Sequence, residues 1–188
     1  TRIERDCLGE MAIPNDRYYG IQTTRMLKVS GAAGFPVIAY PDMHIALCKI
    51  KKACALANAE IGALKPEIAK AIEQACDKVI AGGFEKECPL DMWQGGGYTC
   101  VNMNVNEVIG NLANELMTGH KGQDAVHPNT HVNMCQSSND VVPTAQGVAI
   151  HNAMGRVLKA AAHLEAALDA KAAEFADVVK MGRSWLRD

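Results

Sequence analysis

The chain has no long run of charge of one sign. Its 19 basic and 21 acidic side chains leave a formal net charge of −2, so the basic footprint of a nucleic-acid-binding domain is missing. No apolar stretch approaches about 18 residues, the length that a membrane-spanning helix needs. Thr1-Arg2-Ile3-Glu4-Arg5-Asp6 does not read as a signal peptide. The seven cysteines are odd in number and have no C-x-x-C spacing, which argues against a disulfide framework and for a reduced, cytoplasmic protein. The glycine-rich stretch Gln94-Gly95-Gly96-Gly97-Tyr98-Thr99 is not a P-loop, because no Gly-Lys-Ser/Thr follows. Nor is it a dinucleotide fingerprint, because no credible strand and spacing surround it.

What the chain does have is concentrated in Gln136-Ser137-Ser138-Asn139-Asp140, five polar residues directly before a long apolar-periodic segment. Ser, Asn and Asp cap helix N-termini, and Pro143 suits a first turn. Free N–H groups and the positive end of a helix dipole would then face the cluster, which favours an anion such as a carboxylate. Capping alone would need one of these side chains; two hydroxyls and an amide exceed it. The segment that follows carries Ile150, Met154, Val157, Ala161, Leu164, Leu168, Ala172, Phe175 and Val179 at spacings of three and four, one sustained helical stripe. From Val141 to Val179 such a helix runs about 58 Å at roughly 1.5 Å per residue, whereas a compact domain of this length has a radius of gyration near about 16 Å. The stripe is expected to pack in a bundle with further sequence or with other subunits, and the chain is expected to be a fragment of a longer one.

Before that segment, residues 1–41 hold Gly, Pro and Asn at short intervals and read as loop with one or two short strands. Within them Arg17-Tyr18-Tyr19-Gly20-Ile21-Gln22-Thr23 reads as a packed surface loop. A helix is expected over 42–62, buried through Met43, Ala46, Leu47, Ile50, Ala53, Cys54, Ala57 and Ile61, with Lys49, Lys51 and Lys52 solvated. A second helix, 67–81, lies between the Lys65-Pro66 break and Gly82-Gly83. A third, 101–118, has Asn102, Asn104 and Asn106 in its first turns, where propensity disfavours them; they are either employed in hydrogen bonds or form an exposed polar face. His127, His131 and Cys135 sit four apart, as metal ligands can, but Pro128 interrupts them and no fourth ligand is evident. Cys100 and Cys135 have no nameable base partner as nucleophiles.

Four blocks together carry a resemblance. They are Arg2-Ile3-Glu4-Arg5-Asp6 through Tyr18-Tyr19-Gly20-Ile21-Gln22-Thr23; Gln94-Gly95-Gly96 through Thr99, with Asn102-Met103-Asn104 and Asn106-Glu107; His127-Pro128-Asn129 through Gln136-Ser137-Ser138-Asn139-Asp140; and Lys180-Met181-Gly182-Arg183. In order and spacing the chain resembles the first two-fifths or so of a member of the aspartase/fumarase superfamily, its Tyr-Tyr-Gly-Ile-Gln-Thr and Gln-Gly-Gly blocks being more like the aspartase branch. The resemblance implies a mainly α fold: a small helical N-terminal domain, residues 1–139, then the start of a central helical-bundle domain, residues 140–188. It implies a homotetramer assembled through the long helices, a small dicarboxylate substrate, and elimination of ammonia from L-aspartate to give fumarate through an aci-carboxylate intermediate. It implies no organic cofactor and leaves room for a divalent cation such as Mg as an activator. Thr99, Ser137, Ser138, Asn139 and Ser184 would bind the substrate, and His127, Asn129 and Thr130 would form a secondary anion site. No catalytic base is expected within the chain, because the family's base serine sits on a Gly-Ser-Ser loop that these 188 residues do not contain. Ser184 stands where the family usually has threonine, a mild change. Trp185 replaces the usual His or Gln and offers one donor and no acceptor. Thr130 replaces an acidic residue common in fumarases. The alternatives are a fumarase-like hydratase and a catalytically dead assembly or anion-binding module.

Overall fold

The chain opens with an antiparallel hairpin, β1 (Arg2–Asp6) and β2 (Gly9–Ile13), in register from Arg2 opposite Ile13 to Asp6 opposite Gly9. The computed structural model describes residues 1–182, Ser184 and Trp185; Arg183, from the last of the four blocks, lies outside the described residues. Among the described residues five α-helices follow: α1 (Ile21–Leu27), α2 (Pro41–Glu60), α3 (Pro66–Ala81), α4 (Thr99–Thr118) and α5 (Ser138–Glu174). The architecture is therefore mainly helical, as the sequence implied.

The chain divides into two units, residues 1–150 and residues 151–188. The boundary expected at 139/140 falls at the start of α5, inside the first unit. In that unit α2, α3 and α4 enclose a core that includes Leu47, Ile72, Val105, Ile109, Val126 and Val141. The second unit is the remainder of α5 and the segment after it. The helix ends at Glu174 instead of continuing to Val179; Asp177, Val178 and Val179 are weaker helix formers than the Ala- and Leu-rich run before them. Leu158, Leu164 and Leu168 on this part of α5 are exposed. No helix among the described residues is long and apolar enough to cross a membrane.

Helix α1 has no counterpart in the sequence expectations. It forms because two distant carboxylates cap it. Glu107 of α4 accepts the N–H groups of Gly20, Gln22 and Thr23 at 2.9, 2.7 and 3.1 Å, and the Thr23 hydroxyl at 2.7 Å. Glu4 of β1 accepts the Ile21 N–H at 2.8 Å. The approach is so close that a methyl group at Gly20 would stand 2.6 Å from Glu4 Oε2 and 2.9 Å from Glu107. Tyr18-Tyr19-Gly20-Ile21-Gln22-Thr23 is thus the seat of α1 on α4, not an independent surface loop.

Helix α2 buries Met43, Ala46 and Leu47 as expected, but its second half departs from the expected stripe. Ala53 and Ile61 are exposed, and the buried line runs Leu47, Lys51, Ala55, Asn58. That line keeps helical spacing but passes through two polar residues. Lys51, expected in solvent, is fully buried, because Asn133 and Gln136 each accept from its ammonium at 2.8 Å. Asn58 donates to Met134 O at 3.1 Å. Lys52 sits half-buried between Glu73 and Asp77 of α3.

His44 belongs to the same buried face. Burial pulls its pKa down to about 4, against an opposing contact with Asn104. In an unfolded chain histidine titrates near about 6.5, so between these values the unfolded state binds more protons than the folded one. Stability is full above pH about 6.5 and is lost as the pH falls toward about 4, by on the order of 3 kcal/mol from this residue. Burial also lowers the pKa values of His127 and His131, which adds in the same direction. Urea unfolding at about pH 7 and about pH 4.5 measures the loss, and His44→Leu is expected to make it smaller.

Candidate functional site

Thr99 is the first residue of α4, and Ser138 is the first residue of α5. The two helix N-termini lie side by side. Asn102, in the first turn of α4, donates its side-chain N–H to Ser138 Oγ at 3.1 Å. A methyl group at Gly97, just before α4, would stand 3.6 Å from Asn139 Oδ1. The glycine loop and the polar stretch before α5, read separately in the sequence, therefore meet. Tyr98, the residue before α4, provides no side-chain cap, so the positive end of that helix is not met by its own cap residue.

Ser137 is the cap of α5. Its carbonyl accepts the N–H groups of Asp140 and Val141 at 3.0 Å, and its hydroxyl accepts the Asn139 N–H at 3.3 Å. Pro143 lies in the second turn, not the first. With capping assigned to Ser137, the half-buried Ser138 hydroxyl and the exposed Asn139 amide are surplus to it. Thr99 is exposed beside them. Two non-glycine residues flank the arrangement in left-handed backbone: Tyr98 at φ 63° before α4 and Cys135 at φ 58° ahead of the α5 cap. Each such conformation costs roughly 1–2 kcal/mol, and such strain clusters at functional sites.

Beneath the two N-termini lies a buried amide network. Asn133 Oδ1 accepts from Lys51, from Asn102 at 3.2 Å and from Asn106 at 3.1 Å. Gln136 donates to Val132 O at 2.9 Å and Met134 O at 3.2 Å. Asn102, Asn104 and Asn106 are all buried, and Asn104 donates to Thr23 Oγ1 and Glu87 O. The asparagines of α4 are thus employed, not displayed. Lys51, Asn102 and Asn133 were not named as site residues from sequence. The available signals were a lysine on the periodic stripe of α2 and an asparagine where helix propensity disfavours one.

Of the remaining candidates, His127, Asn129 and Thr130 belong to the segment between α4 and α5 in the first unit. His127 Nδ1 accepts the N–H groups of Asn129 and Thr130, both at 3.1 Å, and so caps the short π-helical segment Pro128–Val132. His127 and Asn129 line a cavity of about 250 Å³ with Arg5, Gln22 and Gln123. Ser184 lies in the second unit and is exposed, and the adjacent Trp185 has 87% of its surface exposed. His131 Nδ1 accepts the His127 backbone N–H at 3.0 Å, and among the described residues no group of three or more His, Cys, Asp and Glu is placed to hold a metal ion. Burial raises the pKa of Cys100, which is the wrong direction for a nucleophile.

Fold and site together define a helical protein that presents hydroxyl and amide donors at paired helix N-termini, a class suited to carboxylate ligands. A family model described as "Lyase" matches residues 9–188. A fumarate hydratase class II from Thermosynechococcus vestitus is 48% identical over the whole chain, and an aspartate ammonia-lyase from a Bacillus species is 43% identical over the whole chain; in each case the chain covers 40% of the relative. The crystal structure of the native fumarate lyase:delta crystallin from Brucella melitensis superposes with a TM-score of 0.90 at 43% identity, over 100% of this chain and 43% of that one. The chain belongs to this lyase family, within the aspartase/fumarase superfamily, and it spans about two-fifths of the length of the curated relatives it matches.

Proposed function

We propose that the full-length protein carrying residues 1–188 is a lyase that makes fumarate by elimination, with L-aspartate as substrate. The reading rests on one observation above all, the meeting of two helix N-termini through the Asn102–Ser138 hydrogen bond. Ser138, Asn139 and Thr99 bind the substrate carboxylate and Ser137 shapes the turn; Ser184, of the second unit, is carried as a substrate-binding residue by the family resemblance alone. A base removes the proton on the carbon beside that carboxylate. The electron pair spreads into the carboxylate as an aci-carboxylate dianion, then forms the double bond as the amino group on the neighbouring carbon leaves. Donors already aimed at the developing charge stabilise the dianion, each by about 3–4 kcal/mol in comparable sites. The base serine belongs to a loop outside these residues, so residues 1–188 alone are expected to be inactive.

Fumarate hydration is the second reading, favoured by the 48% identity to a protein named fumarate hydratase class II. The Tyr18–Thr23 block, which resembles the aspartase branch, packs on α4 through Glu107, and that contact supplies no chemical reason for either substrate. The exposed leucines of α5 support self-association, as a homotetramer of the full-length protein. Seven unpaired cysteines support a reducing, cytoplasmic setting. The reaction needs no organic cofactor; a divalent cation such as Mg would act as an activator. His127, Asn129 and Thr130 form a secondary anion site, although the N–H groups of Asn129 and Thr130 are already engaged by His127.

The deciding experiment follows fumarate absorbance with purified full-length protein. Turnover of L-aspartate at about 1 per second or faster is expected. Hydration of fumarate at such a rate without deamination would shift the assignment to the second reading, and inactivity on both would remove the two together.

A further inference from the structure

We infer that Lys51 is a positioning residue: acting through Asn133 and Asn102, it fixes the direction in which Ser138 presents its hydroxyl proton. This rests on the reading of Ser138 as a donor to a substrate carboxylate. Lys51 has 0% of its surface exposed, and an ammonium carries donors only. It donates to Asn133 Oδ1, so Asn133 must turn its oxygen, not its nitrogen, toward α2. That same oxygen meets Asn102 at 3.2 Å, so Asn102 must present its nitrogen there. The amide nitrogen has a second hydrogen, and it goes to Ser138 Oγ. Ser138 is thereby an acceptor toward the interior, and its own proton is left to donate away from Asn102.

Lys51 fixes Gln136 in the same way. The Gln136 oxygen faces the ammonium and its nitrogen holds Val132 O and Met134 O, which secures the turn before α5. Burial draws the Lys51 pKa down to about 8, which leaves the side chain charged, with all three donors, at neutral pH. A buried charge is costly without partners, and packing on this stripe of α2 would be served by an apolar side chain. What an apolar side chain could not supply is a fixed donor polarity.

The test is a double-mutant cycle in the full-length protein with Lys51→Met and Ser138→Ala. Lys51→Met is expected to lower kcat/KM about tenfold alone and by less than about twofold when added to Ser138→Ala, because the relay ends at the hydroxyl that the second change removes. Equal losses in both backgrounds would make Lys51 merely structural and overturn the inference, as would no loss in either. If Lys51→Met does not fold, Asn102→Ala takes its place in the cycle with the same expectation. The cycle is read again as the Kd for succinate, an unreactive dicarboxylate, by calorimetry. Turnover without coupling would sink the relay and leave the lyase standing; coupled succinate binding without turnover of aspartate or fumarate would do the reverse.

Discussion

Glu107→Ala is expected to destabilise the fold by on the order of 3–5 kcal/mol, the range for removing one partner from a buried charged cluster. Glu107 is 1% exposed. Its two oxygens accept three backbone N–H groups and one hydroxyl from the start of α1. Burial raises its pKa, and the bonds to Thr23, Gln22 and Gly20 pull the other way. Alanine would leave four donors without an acceptor and a cavity where water has little access. Helix α1 is seven residues long, too short to persist without such a cap, so it should detach along with the contact of the hairpin. Urea unfolding is the measurement, with the exposed Glu10→Ala as control, expected within about 0.5 kcal/mol of wild type. A loss below about 1 kcal/mol for Glu107→Ala would mean that water or a neighbour replaces the carboxylate and that α1 does not depend on it.

That dependence shows why some of this fold was legible in the sequence and some was not. Helices α3 and α4 announce themselves because every signal is local. Ile68, Ala71, Ile72 and Ala75 repeat at helical spacing between Pro66 and Gly82, and all four are buried. Val101, Val105, Val108, Ile109 and Leu112 do the same on α4. Helix α1 has no local cap: Gly20 contributes no side chain, and the carboxylates that hold its N-terminus come from Glu4 and from Glu107, 87 residues away from Gly20 in sequence. The second half of the buried face of α2 departs from the apolar pattern for a related reason. A pattern built on apolar residues cannot pass through Lys51 and Asn58, whose burial is compensated by partners near α5.

The site follows the same division. The excess of polar side chains before α5 was visible as more than one cap requires, whereas the glycine loop stood out only by its composition. Their meeting was not visible, since it depends on Asn102 reaching Ser138 across 36 positions. The asparagines of α4 stood out as residues disfavoured in a helix, but nothing local distinguishes Asn102, which serves the site, from Asn104, which holds Thr23 and Glu87. Pro143 falls in the second turn because Ser137 starts the helix ahead of the first apolar residue, Val141.

Ser138→Ala in the full-length protein is expected to lower kcat/KM on the order of a hundredfold, the effect of removing one preorganised donor from a developing anion. The competing view treats Ser138 as helix-terminal furniture. The two differ in where the loss falls. Capping belongs to Ser137, whose carbonyl and hydroxyl take the first N–H groups of α5; Ser137→Ala should therefore cost about 1 kcal/mol in stability. Ser138 is already inside the helix, where alanine is the better helix former, but the change also takes an acceptor from the buried Asn102 amide, so a stability loss of about 1 kcal/mol is expected, too small to account for a hundredfold fall in activity under native conditions. If Ser138 serves the dianion more than the ground-state carboxylate, kcat and kcat/KM fall together; if it merely anchors substrate, KM rises at constant kcat. Thr99 and Asn139 remain beside the gap, so binding is weakened but not abolished. A fall of less than about tenfold, with unfolding shifted instead, would return the polar stretch to the role of a cap and detach the proposed chemistry from this helix terminus.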